Sequence, residues 1–170
     1  MNNEILFTEI QKFRQWWLWA LLIGLNGLFF FGIYTQLIRG IPFGDNPASD
    51  PLLIIVFVVM LILTISFYIY RLETTIRKDG IYIRFLPYMR KYKYYPFAKL
   101  LKVYVRKYSA IVEYGGWGFR HGFGGRGGAY NVSGNQGLQM QFTDHKKLLI
   151  GTRKPEEIAA ILRKIRQYKE

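Results

Sequence analysis

The twenty residues Pro51–Tyr70, PLLIIVFVVMLILTISFYIY, carry no charge. At 1.5 Å of rise per residue, a helix of that length matches a hydrocarbon core about 30 Å thick. A second charge-free run, Gln15–Ile38, holds 24 residues, enough to span with some tilt. Between them Arg39–Asp50, RGIPFGDNPASD, is rich in Gly, Pro, Asn and Asp. That is turn chemistry, and it predicts an antiparallel helical hairpin. Trp16, Trp17 and Trp19 at the start of the first run, and Phe67, Tyr68 and Tyr70 at the end of the second, suit a matching interfacial aromatic belt.

Charge divides the chain at the same place. Residues 1–70 hold Lys12, Arg14 and Arg39 against Glu4, Glu9, Asp45 and Asp50, whereas residues 71–170 hold 21 basic and 7 acidic residues. The formal net charge of +13 is therefore a property of the C-terminal part. Lys12 and Arg14 precede the first run, Arg71, Arg77 and Lys78 follow the second, and Arg39 is alone in the loop. The positive-inside bias predicts a multi-pass protein of the cell (inner) membrane with both termini cytoplasmic. The chain has no cysteine, which excludes a disulfide framework, thiol catalysis and thiolate metal sites.

Two expectations concern the segment up to Tyr70. Asn26, flanked by Gly24 and Gly27, is the strongly polar residue deep in the first run. Glycines at close approach and a hydrogen bond from Asn26 across the hairpin account for it, and the absence of intramembrane charge argues against transport. Leu6, Ile10 and Phe13 of residues 2–16, and then Trp17, fall at helical spacing beside Glu4, Glu9, Lys12 and Arg14. That spacing predicts an amphipathic helical lead-in. The expected organisation is residues 1–70 as lead-in and two spans (about 16–38 and 51–70), then a cytoplasmic domain over 71–170.

After Tyr70 the apolar period changes to two. Leu72–Phe85 forms a hairpin around Lys78-Asp79-Gly80, and strands are predicted at Lys91–Tyr95 and around Leu101, Val103 and Val105. Further short strands are predicted at Ile111–Tyr114, Trp117–His121, Gly128–Ser133, Leu138–Phe142 and Lys146–Ile150, with Asp144-His145 as a hairpin tip. Ile158, Ile161, Leu162, Ile165 and Tyr168 then mark one face of a closing helix. Pro155 suits its first position, and Glu156, Glu157 and the later Arg163 and Lys164 complement its dipole.

Strands followed by one amphipathic helix, together with Tyr114–Arg120 (YGGWGFR), Gly128–Gly134 (GAYNVSG), Gly137–Met140 (GLQM) and Ile150–Glu157 (IGTRKPEE), carry a resemblance. The chain resembles bacterial membrane proteins with two spans and a bacterial pleckstrin-homology-like domain. The resemblance implies a membrane α-helical hairpin plus an α+β soluble domain, a bent antiparallel sheet or barrel capped by one C-terminal helix. It brings no established catalytic residues. His121–Gly127, HGFGGRG, is richer in glycine than that pattern requires.

Ten glycines lie between Gly115 and Gly137. Gly122, Gly124 and Gly127 match G-x-G-x-x-G formally, but they lead into a β-type segment instead of a helix N-terminus, which excludes a dinucleotide site. One reading gives these glycines to bulges and close packing in a small bent sheet, with Trp117 in the core. The other makes a partner-binding loop of Trp117, Arg120, Phe123 and Arg126. His121 and His145 have no acidic cluster nearby, and no phosphate loop or nucleophile elbow is present, so neither an enzyme nor a cofactor or metal site is expected.

The expected function is a non-enzymatic interaction or scaffold module at the membrane surface. Its candidate partners are membrane lipids, a protein partner or a second copy of the chain. Lys91, Lys93, Lys102 and Arg106 are the candidates for anionic headgroups. A structural subunit of a larger membrane complex is the alternative. A nucleic-acid ligand, suggested by the basic charge and Arg126-Gly127-Gly128, is disfavoured because the arginine–glycine motif occurs once.

Overall fold

The structure, a computed structural model, describes residues 4–122 and 124–169. Strand β1 (Ile5–Lys12) leads to helix α1 (Trp16–Ile33), which widens into a π-helical turn at Tyr34–Ile38, and then to helix α2 (Asp50–Ile69). Strands β2 (Arg71–Arg77), β3 (Gly80–Leu86) and β4 (Lys93–Pro96) follow, then a 3-10 turn (Phe97–Lys99) and β5 (Leu100–Lys107). A short helix α3 (Ala110–Tyr114) precedes β6 (Gly118–His121), β7 (Gly128–Asn131), β8 (Gln136–Phe142) and β9 (Lys147–Gly151), and helix α4 (Pro155–Lys164) closes the chain. This is an α+β fold of two compact units: Arg14–Ile69, and the residues up to Phe13 together with those from Tyr70 onward.

In the helical unit, Trp16–Ile38 and Asp50–Ile69 are each long and apolar enough to cross a membrane. Leu21, Ile23, Phe30, Ile54, Val59 and Ile62 point outward, as lipid-facing positions would. Asn26 Nδ2 donates to Thr64 Oγ1 of α2 at 2.8 Å and to the Leu22 carbonyl at 2.7 Å, so the expected bond across the hairpin forms. The glycines behave otherwise. Added methyl groups at Gly24 or Gly27 would meet open space, and the close approach is at Gly32, where a Cβ would lie 2.8 Å from the Phe43 ring. Gln36 then ties down the connecting loop, donating to Asp50 Oδ1 at 2.6 Å and to the Ala48 carbonyl at 2.8 Å.

The other unit contains a four-stranded sheet, β1-β2-β3-β4, and a five-stranded sheet, β5-β8-β9-β7-β6. Ile76, Ile81, Ile83 and Phe85 of the first and Leu138, Met140, Leu149 and Ile150 of the second are fully buried. Helix α4 packs against β1, β5 and β8, and its Ile158 and Leu162 are buried. The ladders are antiparallel except β7–β9, because β9 enters between β8 and β7 and runs alongside the latter. The outer edge of β5 is covered at one point, where Val103 and Lys169 exchange backbone hydrogen bonds of 2.8 and 2.9 Å.

The amphipathic helical lead-in does not form. Ile5–Lys12 pairs along β2, from Ile5 opposite Arg77 to Lys12 opposite Arg71. Its inward residues are Phe7, Glu9 and Gln11, while Ile5 and Ile10 are exposed. Glu9 is buried because it accepts hydrogen bonds from the Thr152 hydroxyl (2.6 Å) and the Arg153 amide (2.9 Å). Gln11 Nε2 donates to the Gly151 carbonyl at 2.6 Å. A buried polar side chain needs such partners, and here the β9–α4 junction supplies them. The helical pair is thus inserted between two neighbouring strands, and the segment before it belongs to the β-rich unit.

Two smaller corrections follow. Ile111–Tyr114 is helical, not a strand: Ser109 caps α3 by accepting from the Val112 amide, and Gly115 ends it in the left-handed conformation at φ 70°. Strand β4 begins at Lys93, which leaves Lys91 in the preceding bend.

Candidate functional site

The four cationic candidates do not form one set. Lys93 is exposed at the start of β4, the edge of the four-stranded sheet, and Lys91 is exposed in the bend before it. Lys102 is exposed on β5, the edge of the five-stranded sheet. Arg106 shares that strand but is engaged. Its guanidinium donates to Glu113 (2.8 and 3.2 Å), Gln139 Oε1 (3.0 Å), the Lys107 carbonyl (3.0 Å) and the Tyr114 hydroxyl (3.2 Å). The Arg106 hydrogen bonds hold the Glu113 carboxyl below the usual range. With its charge met, Arg106 is an organiser of α3 more than a headgroup ligand.

The loop candidates also separate. Trp117 is partly buried against Tyr108, Ala110, Tyr114, Ala129 and Leu149. Arg120 is exposed and donates through Nε to the Trp117 carbonyl at 3.0 Å. Arg126 lies 3.5 Å from Glu113 Oε2 and, with Arg106, Lys147, Gln139 and Gln141, borders a hollow of about 160 Å³. Phe123 lies outside the described residues.

What the fold brings together is a cleft of about 680 Å³, contributed by β4, the β6–β7 connection and the β8–β9 hairpin. Its glycine wall has a steric cause. Gly122 donates to the Gly127 carbonyl at 2.6 Å, reversing the chain. Gly127 has φ 77°, and a Cβ there would collide with the Lys147 carbonyl; one at Gly122 would lie 2.7 Å from the Tyr114 ring. Glycine alone permits that approach, so part of the glycine-rich stretch is packing that shapes a cavity.

Both histidines, His121 and His145, border this cleft together with Lys93, Lys146 and Lys147. Asp144 is its acidic member and is occupied by Lys146 at 2.8 Å. Aromatic rings supply the apolar surface. Tyr95 meets Phe142 at 5.4 Å between centroids, and Phe119 stacks on Tyr130 at 5.2 Å. Burial first, and Tyr130 second, pushes the Tyr95 phenol up, so it stays neutral. Nothing in the local sequence around either histidine signals this meeting, which depends on β9 lying beside β7.

The other buried carboxylate is structural. Glu73 on β2 is held by Arg84 (2.6 and 2.9 Å), the Tyr92 hydroxyl (2.6 Å) and Arg71 (3.0 Å). Burial alone would raise its carboxyl, but the Tyr92 and Arg84 bonds outweigh this and lower it. Among the described residues no group of three His, Asp or Glu side chains converges as a metal site.

Residues 2–167 match a family described as a family of unknown function, DUF6141. No curated protein and no solved structure matches the chain.

Proposed function

The chain belongs to this family of unknown function, DUF6141, and we propose that it is a non-enzymatic integral membrane protein whose β-rich unit is a cytoplasmic interaction module. In this reading α1 and α2 cross the membrane, and the β-rich unit is a pleckstrin-homology-like domain capped by α4. The observation that carries it is the pairing of β1 with β2 across the helical hairpin, Lys12 opposite Arg71. Strands that belong to one folded unit lie on one side of a bilayer, so the outer ends of both helices share that side. The basic residues Lys12, Arg14, Arg71, Arg77 and Lys78 flank those ends, against Arg39 in the loop, which supports the cytoplasmic side.

The carboxylates support a binding role over catalysis. Glu9, Glu73 and Glu113 are committed to hydrogen bonds that hold β1, β2 and α3, and Asp79 accepts from the Tyr82 hydroxyl at 2.6 Å. A group spent on structural bonds is not poised to exchange protons with a substrate. The test is a pair of topology reporters. One that works only in the cytoplasm, fused after Glu170, is expected to be active, and one that works only outside it is expected to be active in the Arg39–Asp50 loop. The reverse pattern overturns the reading.

A further inference from the structure

The cleft between β4, the β6–β7 connection and the β8–β9 hairpin combines three properties of a small-molecule site. Its volume of about 680 Å³ lies within the common range for ligand pockets. Its polar complement is cationic: Lys146 is paired with Asp144, whereas Lys93 and Lys147 take part in no ion pair among the described residues. Lys93 Nζ lies 5.5 Å over the Tyr95 ring, which aims one ammonium at the aromatic surface. That surface is accessible, since Phe119 is 54% exposed although it stacks on Tyr130.

A lysine-bordered cleft with an ammonium over one of its rings matches an anion that also has a flat apolar body. The rings stack on the body, and an ammonium forms a charge-assisted contact with the head. The ammonium held over a ring is that of Lys93, and one cation so placed matches a head of a single negative charge. We therefore propose that this cleft binds a small organic monoanion of the aromatic-carboxylate class. The site owes its shape to Gly122 and Gly127, whose lack of Cβ lets the loop close against Tyr114 and Lys147.

The proposal is tested by calorimetric titration of 2-naphthoate into the full chain in phosphatidylcholine nanodiscs, with empty nanodiscs as the blank. Saturable binding of one naphthoate per chain is expected. Lys93→Gln with Lys147→Gln should weaken it by roughly tenfold, and Phe119→Ala by a similar factor, because each removes one half of the recognition. All three side chains are at the surface, and an unchanged unfolding midpoint shows that the variants stay folded. The neutral analogue 2-naphthalenemethanol should bind at least about tenfold more weakly. Inorganic phosphate should not compete. No saturable binding, equal binding by the variants, or competition by phosphate each overturns the assignment. The neutral lipid keeps this test apart from that of membrane topology, whose failure leaves naphthoate binding untouched.

Discussion

Phe13 and Tyr70, on either side of the helical hairpin, meet with ring centroids 6.3 Å apart, one position beyond the Lys12–Arg71 strand pair. Phe13 is 5% exposed. The two rings close the β1–β2 ladder where the chain departs for α1 and returns from α2. A tight β-hairpin turn can therefore replace the whole helical unit. Joining Phe13 to Tyr70 through Asn-Gly, a two-residue turn suited to antiparallel strands, is expected to give a soluble, cooperatively unfolding protein. A fragment of residues 71–170 lacks β1, leaving the Gly151 carbonyl and Thr152 hydroxyl without Gln11 and Glu9, and is expected to aggregate or unfold. Circular dichroism melts of the two proteins check this; equal stability would remove β1 from the core.

The Glu73 cluster gives a second prediction. Glu73→Gln leaves Arg84, Arg71 and Tyr92 around a neutral amide, and breaking a buried pair by removing one partner costs about 3 kcal/mol. A fall of that order in unfolding free energy is expected, and a change near zero would mean that water replaces the carboxylate freely. Arg84→Lys should recover only part of the loss in an otherwise native chain, because the Nε and terminal nitrogens both reach Glu73 Oε2.

Acid sensitivity follows from Glu73 and Glu113 together. Both carboxyls are held below their ordinary value in the folded protein, Glu113 first by Arg106, and Glu73 by Tyr92 and Arg84 against the opposing effect of burial. The unfolded chain therefore takes up protons at higher pH than the folded one. The stabilisation is complete above the ordinary carboxylate range and is lost as pH falls through it and below. Unfolding midpoints measured from neutral to acidic pH should decline along this limb, and Glu113→Gln should flatten it. A wild-type midpoint that rises on acidification contradicts the assignment.

The glycine-rich stretch divides by position. Gly127→Ala places a Cβ against the Lys147 carbonyl in a left-handed backbone and is expected to lower stability by about 2 kcal/mol or more, since strain and collision add. Gly125→Ala shares the positive φ but faces open space, so only the conformational term of about 1 kcal/mol applies. Melting curves of the two variants should keep this order.

These contrasts explain what was legible in the sequence. Helix α4 was, because Ile158 and Leu162 recur at helical spacing and both are buried, although Ile165 and Tyr168 of the expected face lie beyond its end at Lys164. The β2–β3 hairpin was, because Asp79-Gly80 falls where two alternating runs meet. Strand β1 was hidden because its inward face carries Glu9 and Gln11 while Ile10 points out; an apolar period fails where polar groups are buried with partners elsewhere in the chain. The cleft was hidden for a different reason. Lys93, His121 and Lys147 come from β4, β6 and β9, and only the strand order brings them to one place.

The remaining prediction separates exposed cations from engaged ones. If the β-rich unit docks on an anionic leaflet, the exposed Lys91, Lys93 and Lys102 are the side chains that respond, whereas Arg106 stays with Glu113. A basic side chain near such a surface gains about 1 kcal/mol, roughly fivefold in occupancy. The interaction fades beyond about 8 Å at physiological salt. Reductive methylation of the full chain in nanodiscs, read by mass spectrometry, should therefore be several-fold slower at these three lysines when phosphatidylglycerol is present. Lys146, whose ammonium is already held by Asp144 at 2.8 Å, is the internal comparison and should change less. High salt should abolish the difference. Equal rates in neutral and anionic nanodiscs at low salt would leave these lysines as a solvated surface and direct the search for a partner to the cleft.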